Sequence, residues 1–214
     1  MITINAGLGG YKIIQNANRG PRQMMSYIIT TPNGGVVVID GGWESDADHL
    51  ESTILSLGGV VDMWHISHAH RDHLNALMAI LQRGPEIEIK SIYWDFPPKD
   101  WLKEVSPIST ESLGPFLEVM AQNQDISVKA KKGMKFTLDG LIIEILYDSR
   151  NYLKTQNLND TSLVYRMTFP NGKVALFLGD LAELGGENLA NEYGSRLKSD
   201  IVQMSHHGQN GVSR

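Results

Sequence analysis

His68-Ala69-His70-Arg71-Asp72-His73 puts four potential metal ligands into six residues. His68 and His70 stand two apart, directly after Val61 to Ile66, a short apolar stretch that reads as a strand. Asp72 and His73 follow where the chain must turn into a helix. That helix is expected from about Leu74, with Leu77, Met78 and Leu81 buried and a stop at Gly84-Pro85. A tight turn here can aim the alternating histidines at one ion and the Asp-His pair at a second ion beside it. Imidazole and carboxylate suit zinc first, with manganese or ferrous iron as alternatives. A solvated histidine-rich loop is the plainer reading, but such a concentration at one strand end is improbable in a chain of seven histidines.

The rest of the composition narrows the field. With 214 residues, 42% hydrophobic and 20% charged, the chain reads as one globular domain over residues 1–214. That is large enough to bury roughly 70% of its unfolded surface. The absence of cysteine excludes a disulfide scaffold, a thiol nucleophile, a cysteine zinc site and an iron–sulfur cluster. Histidines and carboxylates must therefore carry any transition-metal chemistry. A net charge of -5 argues against coating nucleic acid through bulk charge. The first ten residues lack a basic start followed by an apolar run, and no stretch approaches the roughly 20 apolar residues of a membrane helix. The expectation is a cytoplasmic protein.

Strands and helices are expected to alternate. Ser26 to Thr31 and Val36 to Ile39 read as strands around the turn Pro32-Asn33-Gly34-Gly35. The second is unbroken by polar residues, as for a strand covered on both faces. A helix with Leu50, Ile54, Leu55 and Leu57 on its apolar face follows, ending at Gly58-Gly59. Ile87 to Phe96 resumes strand character, and Glu111 to Gln122 reads as helical despite Gly114-Pro115. Hairpins are expected over Leu138-Asp139-Gly140 and Pro170-Asn171-Gly172-Lys173. A helix over 183–197 and a strand from Asp200 to Met204 complete the pattern, helices covering a largely β interior.

A second histidine cluster, Ser205-His206-His207-Gly208, again follows a short strand. Together the two clusters hold five of the seven histidines, and the remaining His49 and His65 read as structural. Asp40 and Asp180 each end an apolar strand, where an ionised carboxylate is costly unless a cation or donor receives it. Lys129, Lys131, Lys132 and Lys135 form a local positive cluster, ordinarily a solvated hairpin face but able to contact phosphate. Tyr93-Trp94-Asp95-Phe96-Pro97-Pro98 and Trp101 could line a cleft or simply pack in the core.

His68-x-His70-x-Asp72-His73, the strand-terminal Asp180 and the late His206-His207-Gly208 resemble the metallo-β-lactamase-fold hydrolases, over most of the chain from Ser26 to Gly208. The resemblance implies an α+β fold, a four-layer αβ/βα sandwich with the site at one edge between two sheets. It implies a dinuclear site of two divalent ions, with His68 and His70 on one ion and Asp72 and His73 on the other. Asp180 would bridge them, His206 or His207 would complete the second site, and Asp40 would orient a ligand histidine. His206, first after the strand, is the favoured ligand, leaving His207 to donate a proton. The resembled fold ordinarily continues past this motif with another helix and strand, so the resemblance implies a missing C-terminal edge.

No histidine occurs between His73 and His206, where many members place a third ligand to the first ion. The region reads Leu158-Asn159-Asp160-Thr161-Ser162-Leu163-Val164, similar to the hydrolase domain of ComEC-type competence proteins. Asn159, Asp160 or water would then fill the position. The implied activity is hydrolysis by a metal-bound hydroxide oriented by Asp72 and Asp180. Its substrate would be a phosphoester or phosphodiester, nucleic acid included. A lactam, lactone or thioester within the same fold is the alternative, and a metal-binding regulatory domain without turnover is a third reading.

Overall fold

Val36-Val37-Val38-Ile39 is buried on both faces. Val36 and Val38 enter a core shared with helices, while Val37 and Ile39 enter a second core between two sheets. This alternation generates the layering of the whole molecule, a computed structural model that describes residues 2–5 and 7–209.

In chain order the first strands are β1 (Ile2–Ile4), β2 (Lys12–Gln15), β3 (Ser26–Thr30), β4 (Val36–Asp40), β5 (Val60–Val61), β6 (Met63–His65), β7 (Glu88–Ile89), β8 (Ile92–Trp94) and β9 (Ser127–Lys129). Then come β10 (Lys135–Leu138), β11 (Leu141–Tyr147), β12 (Val164–Thr168), β13 (Val174–Phe177) and β14 (Ile201–Gln203). The helices are α1 (Ala47–Ser56), α2 (Arg71–Arg83), α3 (Lys99–Val105), α4 (Thr110–Gln122) and α5 (Glu183–Tyr193). One main sheet runs β1-β2-β3-β4-β6-β8-β9 and the other β10-β11-β12-β13-β14, while β5 and β7 form a small two-stranded sheet. Helices α1, α2 and α4 cover the first sheet through Leu50, Ile54, Leu77, Leu113 and Phe116. The space between the sheets is filled by Ile29, Ile39, Ile143, Tyr165 and Phe177. Helix α5 covers the second sheet through Leu189, against Leu146 and Leu176.

Both sheets change pairing along their width. Strands β1 to β4 are antiparallel, whereas β4, β6, β8 and β9 are parallel. Strands β10 to β13 are antiparallel and β14 joins β13 in parallel. Parallel neighbours end side by side, so the loops after β4, β6, β13 and β14 open together at one edge.

Several boundaries differ from the sequence reading. Helix α2 begins at Arg71 instead of Leu74, with His70 extended (φ -77°, ψ 150°) just before it. Asp72 and His73 therefore project from the first helical turn. Pro115 is the sixth residue of α4, past the first turn, so the helix runs through it without the N–H that would meet the Glu111 carbonyl. The helix expected over 183–197 stops at Tyr193, where Gly194 takes φ 48°. Among the described residues no helix is long and apolar enough to cross a membrane.

His65 sits wholly inside the inter-sheet core, stacked on Tyr93 at 4.8 Å and touching Tyr165. Neither ring nitrogen has a hydrogen-bond partner, and burial pulls its pKa down to about 3. The unfolded chain takes up this proton near pH 6.5 and the folded chain does not, so stability falls as pH drops from 6.5 toward 3. The loss is about 1.4 kcal/mol per pH unit. His65→Phe keeps the aromatic packing and removes the titration. Its urea midpoint is expected to exceed that of the parent by more at pH 5 than at pH 7. An equal difference at both values would refute a buried neutral imidazole.

Candidate metal centre

Asp40 ends β4 in the left-handed region at φ 55° and is completely buried. Its Oδ1 accepts from the Ser67 N–H at 2.7 Å, and its Oδ2 accepts from the Ser67 hydroxyl at 2.7 Å and lies 2.7 Å from His73 Nδ1. With its proton committed to Asp40, the Ser67 hydroxyl accepts from His68 Nδ1 at 3.0 Å. One carboxylate thus sets the tautomer of His73 directly and of His68 through Ser67, turning both Nε2 atoms toward the site. Gly41 permits this: a Cβ there would stand 3.2 Å from the Ala76 Cβ and 3.4 Å from the Leu77 backbone nitrogen.

Asp180 comes in from the other sheet, after β13, and is 2% exposed. It follows Gly179 at φ 59°, where a Cβ would meet Ser67 and Ser162 near 3 Å. Its backbone N–H donates to Ser162 Oγ at 3.2 Å. Asp180 Oδ2 lies 3.3 Å from His73 Nε2, 3.3 Å from His207 Nε2 and 3.8 Å from His68 Nε2. Asp72 Oδ2 is 3.2 Å from His207 Nε2 and 3.8 Å from His73 Nε2. Two overlapping groups result, Asp72, His73, Asp180 and His207 beside His68, His70 and Asp180, with ligand atoms of each within 4.8 Å of one another.

These residues fit a metal. Ligands of a tetrahedral ion with bonds near 2.1 Å stand about 3.4 Å apart, the separation seen here. His73 Nε2, His207 Nε2 and Asp180 Oδ1 are buried without a hydrogen-bond partner, which is rare for interior polar atoms unless something else receives them.

Charge coupling across the cluster is strong. Burial pulls His68 well below the usual imidazole range and His70 down to about 4, with His73 adding repulsion to both. Burial also opposes charge on His73, but Asp180, Asp40 and Asp72 overcome it and hold the imidazole well above its usual value. Asp180 and Asp72 overcome burial at His207 in the same way, pushing it up to about 9. Burial raises the Asp180 carboxyl, and His73 and His207 more than reverse this.

The histidine pair reads differently in three dimensions. Sequence order favours His206 as ligand and His207 as proton donor, whereas it is His207 that reaches the two carboxylates. His206 is fixed by its N–H to Gly179 O at 3.2 Å, and its Nε2 lies 3.4 Å from Asn159 Nδ2. His206 (φ 48°) and His207 (φ 53°) are both left-handed, so simple strand alternation does not apply to them.

Asn159 and Asp160 also separate. Asp160 Oδ1 accepts from the Gly185 N–H and Oδ2 from Thr155 Oγ1, each at 2.8 Å, tying its loop to the start of α5. Asn159 is 5% exposed and its Oδ1 has no partner. Three of the four clustered lysines have partners within the protein: Lys132 pairs with Glu192, Lys135 with Glu144 at 3.3 Å, and Lys129 lies over Trp94. Trp94 and Phe96 pack on Phe116 in the helix-side core.

A family model described as the Metallo-beta-lactamase superfamily matches residues 19–214. No curated protein matches by sequence. Similar solved structures include a Cronobacter sakazakii metallo-beta-lactamase with an HARLDQ motif, 18% identical, covering 89% of this chain and 70% of that one with TM-score 0.51. A subclass B3 metallo-beta-lactamase from a soil metagenome library is 16% identical, covering 94% and 78% with TM-score 0.58. A B3 metallo-beta-lactamase with an active-site glutamic acid is 16% identical, covering 97% and 80% with TM-score 0.61. At these identities the structures establish a shared fold.

Proposed function

The chain belongs to the metallo-beta-lactamase superfamily of metal-dependent hydrolases, and from that premise we propose that it cleaves a phosphoester or phosphodiester at a two-ion centre. The observation that carries the metal centre is the convergence of orphaned ligand atoms, His73 Nε2, His207 Nε2 and Asp180 Oδ1, at one edge of the sandwich. The phosphoester reading is supported by the motif resemblance, whose separate pieces touch: Ser162 meets Asp180, and Asn159 meets His206.

In this proposal His68, His70 and Asp180 would hold one divalent ion, with the unpartnered Oδ1 of Asn159 as the candidate for a further ligand. Asp72, His73, His207 and Asp180 hold the other. Zinc suits this donor set, with manganese or iron as alternatives. When bound, such a pair supplies a water acidified to near neutrality and polarises the electrophile's oxygen. Asp72 and Asp180 orient the attacking water. His206, unligated beside Asn159, carries the proton delivered to the leaving group.

The test uses protein stripped by chelator and reloaded with zinc or manganese. Bis-p-nitrophenyl phosphate turnover is expected, lost on stripping and restored on reloading. Turnover restricted to a lactam or thioester would replace the phosphoester by an acyl bond. Full metal occupancy without turnover of any of these would sink the catalytic reading. The acyl alternative has one observation behind it, a cavity that His207 lines and that, among the described residues, no Asp, Glu, Lys or Arg lines.

A further inference from the structure

Two guanidinium groups converge on one indole at the edge of the ligand motif. Arg22 Cζ stands 5.0 Å from the centroid of the Trp43 ring, and Arg71 Cζ stands 5.8 Å from it. Remote segments are fastened together to achieve this. The Trp43 indole N–H donates to Gln23 O at 2.8 Å, and the Asp46 carboxylate accepts from the backbone N–H groups of Trp43 and Arg19. The Met25 N–H donates to Asp72 O at 3.2 Å. The loop that carries Arg22 is thus tied to a candidate ligand residue, and Arg71 stands between His70 and Asp72 in the motif itself.

A concavity of about 330 Å³ opens at this junction, its walls including Arg22, Trp43, Glu44, Ser45, Arg71 and Asn75. One cation over an indole is an ordinary attraction to the ring face. A second on the same ring sets like charge against like, and the protein's own carboxylates only partly offset it. Arg22 is exposed and, among the described residues, makes no ion pair. Arg71 makes one contact, Nη1 to Glu111 Oε2 at 3.1 Å, which leaves most of its five-donor fork open. Glu44 is the one acid of the wall, and it pairs with neither guanidinium. The wall therefore keeps an excess of positive charge in a chain whose net charge is -5.

We infer that Arg22 and Arg71 bind a second phosphate of the substrate, set apart from the ester that the metal centre cleaves. The inference rests on the phosphoester reading of that centre and narrows its substrate to a molecule with at least two phosphates. A planar guanidinium presents parallel N–H donors to phosphate oxygens, and a rigid indole behind both forks limits the freedom they lose on binding. Because Arg71 shares a turn with His70 and Asp72, a phosphate held by it sets the position of the whole substrate against the ions.

Metal-loaded protein is first titrated with inorganic phosphate while indole emission is followed. A saturable change is expected, lost in Trp43→Phe and shifted about tenfold to higher phosphate in Arg22→Gln. Arg22→Lys, which keeps the charge but not the fork, is expected to fall between parent and glutamine variant. In turnover, the p-nitrophenyl phosphodiester of thymidine is compared with the same ester carrying a second phosphate on the other hydroxyl. The second phosphate is expected to lower KM about tenfold with little change in kcat, and Arg22→Gln to erase that advantage. Extending that phosphate into a short strand separates its two sources: a further fall in KM marks a strand, and no further fall a terminal phosphate. Superimposable phosphate titrations of parent and Arg22→Gln, or a phosphate advantage that survives the substitution, would overturn the subsite. Equal KM for both esters with intact turnover strikes this inference alone. Arg22-dependent phosphate binding without turnover of any ester strikes the catalytic reading alone.

Discussion

Asp180→Ala is expected to remove bound metal and to lower kcat/KM on the order of 10³-fold or more, about 4 kcal/mol of transition-state stabilisation. Asp180 belongs to both ligand groups, and its Oδ2 stands 3.3 Å from each of His73 and His207 Nε2. Removing it leaves these imidazoles with Asp72 as their remaining shared carboxylate, 3.2 Å from His207 and 3.8 Å from His73. The fold should survive, because the tether of this loop to Ser162 is a backbone N–H. Asp180→Asn, which keeps shape but loses charge, is expected to fall between parent and alanine variant in metal content. Elemental analysis and steady-state kinetics on the same preparation check both. A variant with full metal content and near-parental activity would show that Asp180 does not bridge.

Asp40→Asn is expected to weaken metal binding by about 10- to 100-fold while leaving the position otherwise intact. Asparagine tolerates the left-handed backbone that residue 40 adopts at φ 55°, so the substitution isolates the acceptor role. Both carboxylate oxygens are in use, one by the Ser67 N–H and one by the Ser67 hydroxyl and His73. An amide must present an NH₂ where one of these now donates. His73 then loses its fixed tautomer, or Ser67 loses its backbone anchor and releases His68. Competition against a chromophoric chelator measures the change. Unaltered affinity would reduce Asp40 to a turn residue.

The sequence reading reached furthest where chemistry and periodicity are local. Four candidate ligands within His68 to His73 point to the region where the structure gathers imidazoles and carboxylates, and the uninterrupted run Val36 to Ile39 announces a strand with a core on each face. It was weaker where long-range contacts decide. Nothing in Asn159-Asp160 says which side chain is free, because that depends on Gly185 and Thr155 taking both oxygens of Asp160. The order of His206 and His207 does not say which imidazole meets the carboxylates, because both residues are left-handed and it is His207 whose Nε2 lies near Asp72 and Asp180. The lysine run reads as a solvated hairpin face able to contact phosphate, and the partners of Lys132, Lys135 and Lys129, namely Glu192, Glu144 and Trp94, come from elsewhere in the chain. The cavity beside His207 had no motif at all, since its walls come from the first strands and the last.

The change from antiparallel to parallel pairing in both sheets also governs the order in which the molecule can be assembled. Hairpins such as β10-β11 close over a few residues, whereas β14 can dock on β13 only after α5 has crossed over between them. Such distant pairings are the slow contacts of a folding chain. His68 to His73 are held by the early βα unit of the first sheet, but Asp180 and His207 arrive with the later-built edge of the second. During synthesis the nascent chain therefore presents Asp40 and the His68 to His73 cluster long before Asp180 and His207 emerge. Tight metal capture then becomes a mark of completed folding, not a seed for it.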